Sequence, residues 1–420
     1  MFRMTRVLAA VLTVISAAIM VMPASAAAQR IDVAVEWYDV TAATIAAAGA
    51  PTQSTNSRTW AVSWLAAARA VRQTPAGQRD RAEATLASAV HDVLVAAVPA
   101  RRAELDAALS TTLARIPDSV GRTRGVADGA RAASAVVAGR QGDGLDPVSV
   151  NESFELPAPA PGVWQPTPPS FTPAQQAGNR HARPFLLSRA DQFRPGPPPA
   201  LDSARYRADL AEVRAYGAAD STVRTPAQTE TAQFWFQGSL IGYTEPLRVA
   251  LADSGGSLSR RAALVAAFHV ILVDTQIATS DTKYAYLRWR PVTAIRTDAA
   301  HPDPLWTPLH VTPAHPDYPS GHNTYAGAAE VVLTAFTGPA ARAAFTVTSP
   351  TAPGVRRTYQ RWSELTADNL NARVWSGIHT RTADRVGVDL GRRVAAFGLV
   401  RFWALLRSGD SQTHYSWLLR

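Results

Sequence analysis

The stretch HPDYPSGHNTYAGAAEVVLTAF, residues 315–336, changes character part-way along. Prolines 316 and 319 hold its start away from helix, because proline lacks the N–H a helix needs. From residue 321 to 336 the apolar residues recur at helical spacing. Ser320 stands where an N-cap belongs. A helix starting here leaves the N–H groups of Gly321 and His322 free at its end, a ready anion site. Glycine at 321 lets a ligand approach the backbone closely, and His322 is set beside whatever anion binds.

On the N-terminal side lies SDTKYAYLRWRP, residues 280–291. Lys283 is the only lysine in 420 residues, so the other 41 of the 42 basic side chains are arginines. Its spacing from Arg290 predicts that both cations share one helical face, about 10 Å apart along the axis. Pro291 disfavours α geometry at Arg290 and predicts the helix end there. On the C-terminal side, ARVWSGIHTRTAD (372–384) carries Arg373 and His379, and Gly377 predicts a break that frees the imidazole to face a cavity.

Around these motifs the chain reads as helix. Residues 31–140 are alanine-rich with helical periodicity. Between Pro147 and Pro199 there are 13 prolines, so 141–200 reads as an extended segment, laid on the core by Phe154, Trp164, Phe171, Phe185 and Phe193. Helical patterns resume over about 202–216, 225–254, 257–290, 321–337, 358–375 and 382–408. Little reads as strand. The expected fold is all-α, with packed helical bundles wrapped by the proline-rich segment. Its regions are 27–140, 141–200 and 201–420.

Arg3 and Arg6, the apolar run from Val7 to Met22 and Ala24-Ser25-Ala26 read as an export signal over 1–26, with a destination in a periplasm or outside the cell. No later stretch offers a membrane span of about 20 uncharged apolar residues. Without the signal the net charge is near +7, and the arginines are dispersed with no nucleic-acid motif, so neither nucleic acid nor a membrane is an expected partner. The chain has no cysteine, and all four methionines lie at or before residue 22. The remainder therefore lacks the most oxidisable side chains, as suits a protein that meets or makes an oxidant.

Lys-x6-Arg-Pro, Pro-Ser-Gly-His and Arg-x5-His, in that order, resemble the signature of the vanadium-dependent haloperoxidase and type-2 phosphatidic acid phosphatase superfamily. The resemblance covers about 225–405, and WRPVTAIR and HPDYPSGH are similar to its soluble haloperoxidase branch. It implies that Lys283, Arg290 and Arg373 neutralise the oxygens of a bound tetrahedral oxyanion, with Ser320 and the Gly321 N–H donating to the same oxygens. His379 becomes the apical group and His322 the acid/base opposite it. The pattern's aspartate four residues after the apical histidine is Ala383 here; Asp384 or a backbone carbonyl is the expected substitute for orienting His379. The serine that often precedes the motif arginine is Ala372.

Two chemistries share such a site. In a haloperoxidase, vanadate on His379 takes up hydrogen peroxide, His322 moves protons, Lys283 polarises the peroxide oxygen and a halide is oxidised for transfer to an organic substrate. In a phosphatase, His379 attacks phosphorus and His322 protonates the leaving alcohol. His315 matches a second histidine of the family's bromoperoxidases, which favours bromide oxidation. An inactive anion-binding structural protein is the remaining alternative. His301, His310, His315 and His322 have no zinc spacing.

Overall fold

The computed structural model describes residues 32–407, so the expected signal over 1–26 lies outside the described residues. Five helices come first: α1 (Val33–Ala48), α2 (Gln53–Gln73), α3 (Arg79–Ala97), α4 (Arg102–Ala114) and α5 (Val120–Gly139). Side-chain caps start two of them, Thr52 accepting from the Thr55 N–H and Ser119 from the Arg122 N–H. A Cβ on Gly125 would stand 2.4 Å from the Arg81 carbonyl oxygen, so α5 lies backbone to backbone on α3.

Residues 141–200 run extended apart from the short helix α6 (Pro147–Val150) and a 3-10 turn at Ala177–His181. Aspartate 274 ties this segment down. Its carboxyl accepts the N–H groups of Phe185, Leu186 and Leu187 at 2.7 to 2.8 Å. Arg140 reinforces the anchor, donating to the Pro184 carbonyl and stacking 3.8 Å over the Phe185 ring.

Eight helices follow: α7 (Ala204–Tyr216), α8 (Pro226–Phe234), α9 (Ser239–Asp253), α10 (Leu258–Tyr286), α11 (Pro291–Arg296), α12 (Gly321–Thr337), α13 (Trp362–Trp375) and α14 (Arg381–Arg407). The fold is all-α, with fourteen α-helices and one hairpin among the described residues. Helix α10 is long and apolar enough to cross a membrane by composition, yet 94% of its apolar window is buried. It is the axis of a core that draws on α1, α2, α3, α9, α12 and α13, continuous across the composition changes near 140 and 200.

Three local expectations are corrected. The helix expected over 225–254 is two helices, α8 and α9, separated at residues 235–238. The helix expected to end at Arg290 ends at Tyr286, where Leu287 turns left-handed at φ 46°. Lys283 and Arg290 therefore do not share a helical face; Arg290 is the N-cap of α11 and reaches Lys283 across a turn. The third concerns the antiparallel hairpin of β1 (Ala340–Thr348) and β2 (Arg356–Arg361), which was not expected and occupies the start of the helix expected over 358–375. Its alanine-rich beginning favours helix locally. Burial of Phe345, Val347 and Tyr359 on one side of the ribbon favours strand, and packing overrides propensity.

The crossing of α12 and α14 positions the site. A Cβ on Gly391 would stand 2.0 Å from the Thr324 carbonyl oxygen, and one on Gly387 2.7 Å from that of Ser320. This contact brings the Ser320 N–H to the Ala383 carbonyl at 2.9 Å. Gly391→Ala should therefore lower unfolding stability in a denaturant titration by about 1–3 kcal/mol, the usual cost of overpacking. Gly196→Ala is the control: a methyl there meets nothing within 4 Å, and stability should not change.

Candidate oxyanion site

Five chain segments meet at one site, four of them on a shared cavity. Lys283 is in the last turn of α10, Arg290 caps α11, Ser320 to His322 open α12, Arg373 ends α13, and His379 lies in the link to α14. That link turns at Gly377, whose φ is 77°. A Cβ there would stand 2.4 Å from the Gly217 carbonyl oxygen and 2.8 Å from Pro308, so both conformation and packing require glycine. The turn carries His379 back toward Arg290.

The three cations are buried, with relative exposures of 4% for Lys283, 0% for Arg290 and 1% for Arg373. Their N–H groups go to carbonyls. The Lys283 ammonium donates to the Pro316 and Asp317 carbonyls, and Arg290 donates to those of His315 at 2.7 Å and Ile378 at 2.6 Å. Arg373 donates to the Trp235 carbonyl at 3.0 Å, while its Nε has no partner. Among the described residues, no ion pair joins any of the three to a carboxylate. Burial lowers the Arg290 pKa to about 10 and that of Arg373 to about 9. Burial, and then repulsion by Arg290, pushes the Lys283 ammonium well below its ordinary value.

His379 is held on both ring nitrogens. Its Nδ1 lies 2.6 Å from Asp317 Oδ1, and its Nε2 lies 3.1 Å from Arg290 Nη1. Arginine can only donate, so Nε2 is the acceptor and Nδ1 carries the hydrogen toward Asp317. Burial, followed by Arg290 and Lys283, holds the imidazole pKa well below its usual value. Asp317 is buried and raised to about 6 by burial, against the pull of Arg290; its other oxygen accepts from the Thr380 hydroxyl at 2.8 Å. His322 Nε2 faces the Gln237 carbonyl at 2.9 Å, which fixes the hydrogen on Nε2 and leaves Nδ1 with its lone pair. Burial, then Arg373, lowers its pKa well below the ordinary value. His315 Nδ1 stands 3.0 Å from Arg290 Nη2, so its Nε2 carries the hydrogen.

Lys283, His315, Gly321, His322, Arg373 and His379 line one cavity of about 240 Å³. A Cβ at 321 would point into it, 3.8 Å from Thr279 and 4.0 Å from the Lys283 stem. Arg290 stands directly behind His379 and His315. Ser320 is the N-cap by position, but its hydroxyl makes no cap hydrogen bond. It accepts from Asn323 Nδ2 at 3.4 Å and faces Asp384. Trp289 and Tyr318 pack, donating to the Tyr206 hydroxyl and the Gly196 carbonyl respectively.

The expected substitution of Asp384 as the partner of His379 is corrected. Asp384 is buried behind Ser320, its Oδ1 accepting from Asn323 Nδ2 at 2.7 Å. The carboxylate on His379 is Asp317, which comes from the motif on the other side of the site. Sequence reasoning passed over Asp317, Asn323, Thr380 and Gln237. An acidic residue between two prolines beside Ser320 was the available signal for Asp317; Gln237 acts through its carbonyl, which no side chain advertises. Among the described residues, no cluster of three or more histidines and carboxylates could hold a metal cation.

Residues 263–406 match the VCPO second helical-bundle domain. The chain is 29% identical to vanadium chloroperoxidase from Curvularia inaequalis over a stretch covering 34% of this chain and 29% of that protein's length. The fold is similar to the crystal structure of the first bacterial vanadium-dependent iodoperoxidase, with a TM-score of 0.74 and 24% identity over 89% of this chain and 98% of that one. It also resembles an apo-type bacterial vanadium-dependent chloroperoxidase, with a TM-score of 0.68 and 17% identity over 85% and 96% of the two chains. At these identities the two structural likenesses are likenesses of fold.

The hydrogen bonds of His379 predict a neutral ring with its hydrogen on Nδ1 at every pH above the Asp317 value of about 6. Nitrogen-15 NMR of histidine-labelled protein checks this. Asp317→Ala should shift the His379 signals toward a mixture of tautomers, and a wild-type ring protonated on Nε2 contradicts the assignment.

Proposed function

We propose that this chain, as a member of the vanadium haloperoxidase superfamily, oxidises halide, with bromide preferred, by hydrogen peroxide in a vanadate-dependent reaction. One observation carries this reading: three buried cations, none of them in an ion pair with a carboxylate, and a single charged aspartate, Asp317, near two of them. Unpaired buried charge is costly, by several kcal/mol per ion. A small multiply charged oxyanion removes that cost for all three at once. The donor set fits such a group. Forked guanidiniums and a compact ammonium suit oxygen atoms, the Arg373 Nε is free to donate, and the His379 Nε2 lone pair, which here accepts from Arg290, would pass to such a group.

Lys283 and Arg373 from the cavity wall, and Arg290 from behind it, would hold the oxyanion's oxygens in this reading, with the Ser320 hydroxyl and Gly321 N–H. His379 would hold the vanadium. Vanadate, when bound, activates hydrogen peroxide toward two-electron oxidation of a halide. Oxidising a halide to hypohalous acid with peroxide consumes one proton and releases water. His322 would relay that proton from solvent through Nδ1, its other nitrogen being committed to Gln237. Lys283, on the cavity wall, would polarise the peroxide oxygen. Asp317 keeps the His379 lone pair aimed inward.

The cavity wall is mixed: Gln175, Gln176, Gln276 and Ser280 stand beside Tyr284, Pro313 and Tyr325. Release of the oxidant to an organic substrate outside suits a chain free of cysteine and methionine from residue 23 onward. His315 supports bromide: its Nε2–H is a neutral donor on the cavity wall, fixed by Arg290 on the other side. Action in a periplasm or outside the cell follows from the signal-like residues 1–26.

Purified protein reconstituted with vanadate should brominate a phenol-type dye with peroxide, while protein treated with chelator and phosphate should not. His379→Ala should weaken vanadate binding by more than the roughly 10–100-fold lost with an outer-shell partner. Hydrolysis of a phosphate monoester without vanadate-dependent bromination would establish the phosphatase reading instead. Neither activity would leave an anion-binding protein. Lys283→Arg should keep vanadate and lose most of the bromination rate; full activity in that variant would remove the special role of the lysine.

A further inference from the structure

Resting on the oxyanion reading above, we propose that Asp384 is a positioning residue: in its neutral form it keeps the single proton of the Ser320 hydroxyl directed at the bound oxyanion. A serine hydroxyl has one hydrogen to give and two lone pairs to accept with. At the start of α12 the Ser320 hydroxyl does not cap its own helix; it turns inward instead. There Asn323 Nδ2 bridges it to Asp384, at 3.4 Å from Ser320 Oγ and 2.7 Å from Asp384 Oδ1. Asp384 Oδ2 is buried and has no hydrogen-bond partner.

The two protonation states of Asp384 have opposite consequences. A neutral carboxyl donates its own hydrogen to Ser320 Oγ, which then has its proton free to point outward into the site. A carboxylate has nothing to donate and draws the Ser320 proton inward. It also sets a buried negative charge behind an anion that the three cations are arranged to hold.

Burial favours the neutral state. Asp384 is wholly buried, which raises its pKa to about 8 against the lowering effect of Ser320, Arg381 and Asn323. The groups facing it are Ser320 and Asn323 on α12, Arg381 on its own helix, and Asp317 in the preceding loop. Lys283, Arg290 and Arg373 feel its charge from α10, α11 and α13. A carboxyl with a raised pKa is neutral below that value and charged above it, so oxyanion affinity should fall as pH rises through about 8.

The test compares oxyanion affinity in wild type and Asp384→Asn from about pH 6 to pH 9.5, using orthovanadate and inorganic phosphate in turn. Asparagine donates to Ser320 at every pH, and ionisation of the oxyanion itself is common to both proteins. Relative to its own affinity at pH 6, the wild type should lose at least about tenfold more than the variant by pH 9.5, one decade per pH unit past the transition. Ser320→Ala provides an independent arm: with no hydroxyl to steer, the wild-type-specific pH step should shrink. Parallel profiles for the three proteins would overturn the proposal while leaving the oxyanion site intact. Failure of the wild type to bind either oxyanion at any pH would overturn both readings.

Discussion

The burial of Lys283, Arg290 and Arg373 together, without carboxylate partners, is the constraint on which the rest of this structure turns. Such a cluster cannot be left to flexible side chains, because each charge needs its remaining N–H groups satisfied. The fold meets the need with main-chain carbonyls from three different links: His315 to Asp317, Ile378, and Trp235. Carbonyl dipoles solvate a cation without neutralising it. Asp317 offsets part of the charge, and the positive charge that remains is available to an anion.

Holding carbonyls at those places requires a stiff frame, and the frame rests on close backbone contacts. Glycines 387 and 391 let α14 lie against the start of α12, and Gly377 packs against Gly217 where the chain turns to His379. The proline-rich segment is fixed to the middle of α10 by Asp274, nine residues from Lys283, so the long core helix and its covering segment are one unit. Precision in the site is therefore a property of the bundle and not of loops alone.

Two buried acids are treated differently by the same positive field. Asp317 stands against His379 and Thr380 with Arg290 close by, and its pKa is raised only to about 6. Asp384 is deeper, beside amide and hydroxyl groups, and reaches about 8. Near neutral pH one is a charged acceptor that orients an imidazole and the other is a neutral donor. Separating the protonation states of neighbouring carboxyls by environment is a general way for one site to hold both an acceptor and a donor.

The sequence alone determined the helical character and the extended proline-rich segment, and it pointed to Lys283, His315, Gly321, His322, Arg373 and His379 on the cavity wall, though not to Asp317 or to the glutamines there. Periodicity, proline content and motif spacing are local properties, legible in a linear string. It misjudged places where distant packing decides local form: the hairpin at 340–361, the end of α10 at Tyr286, and the geometry joining Lys283 to Arg290. It also misassigned the partner of His379, because proximity in sequence favoured Asp384, five residues on, over Asp317, sixty-two residues earlier. Only the crossing of α12 with α14 and the turn at Gly377 decide that pairing. Tautomers, buried charge and the direction of a hydroxyl depend on which chain segments meet, and that depends on the closeness of backbones that glycine permits.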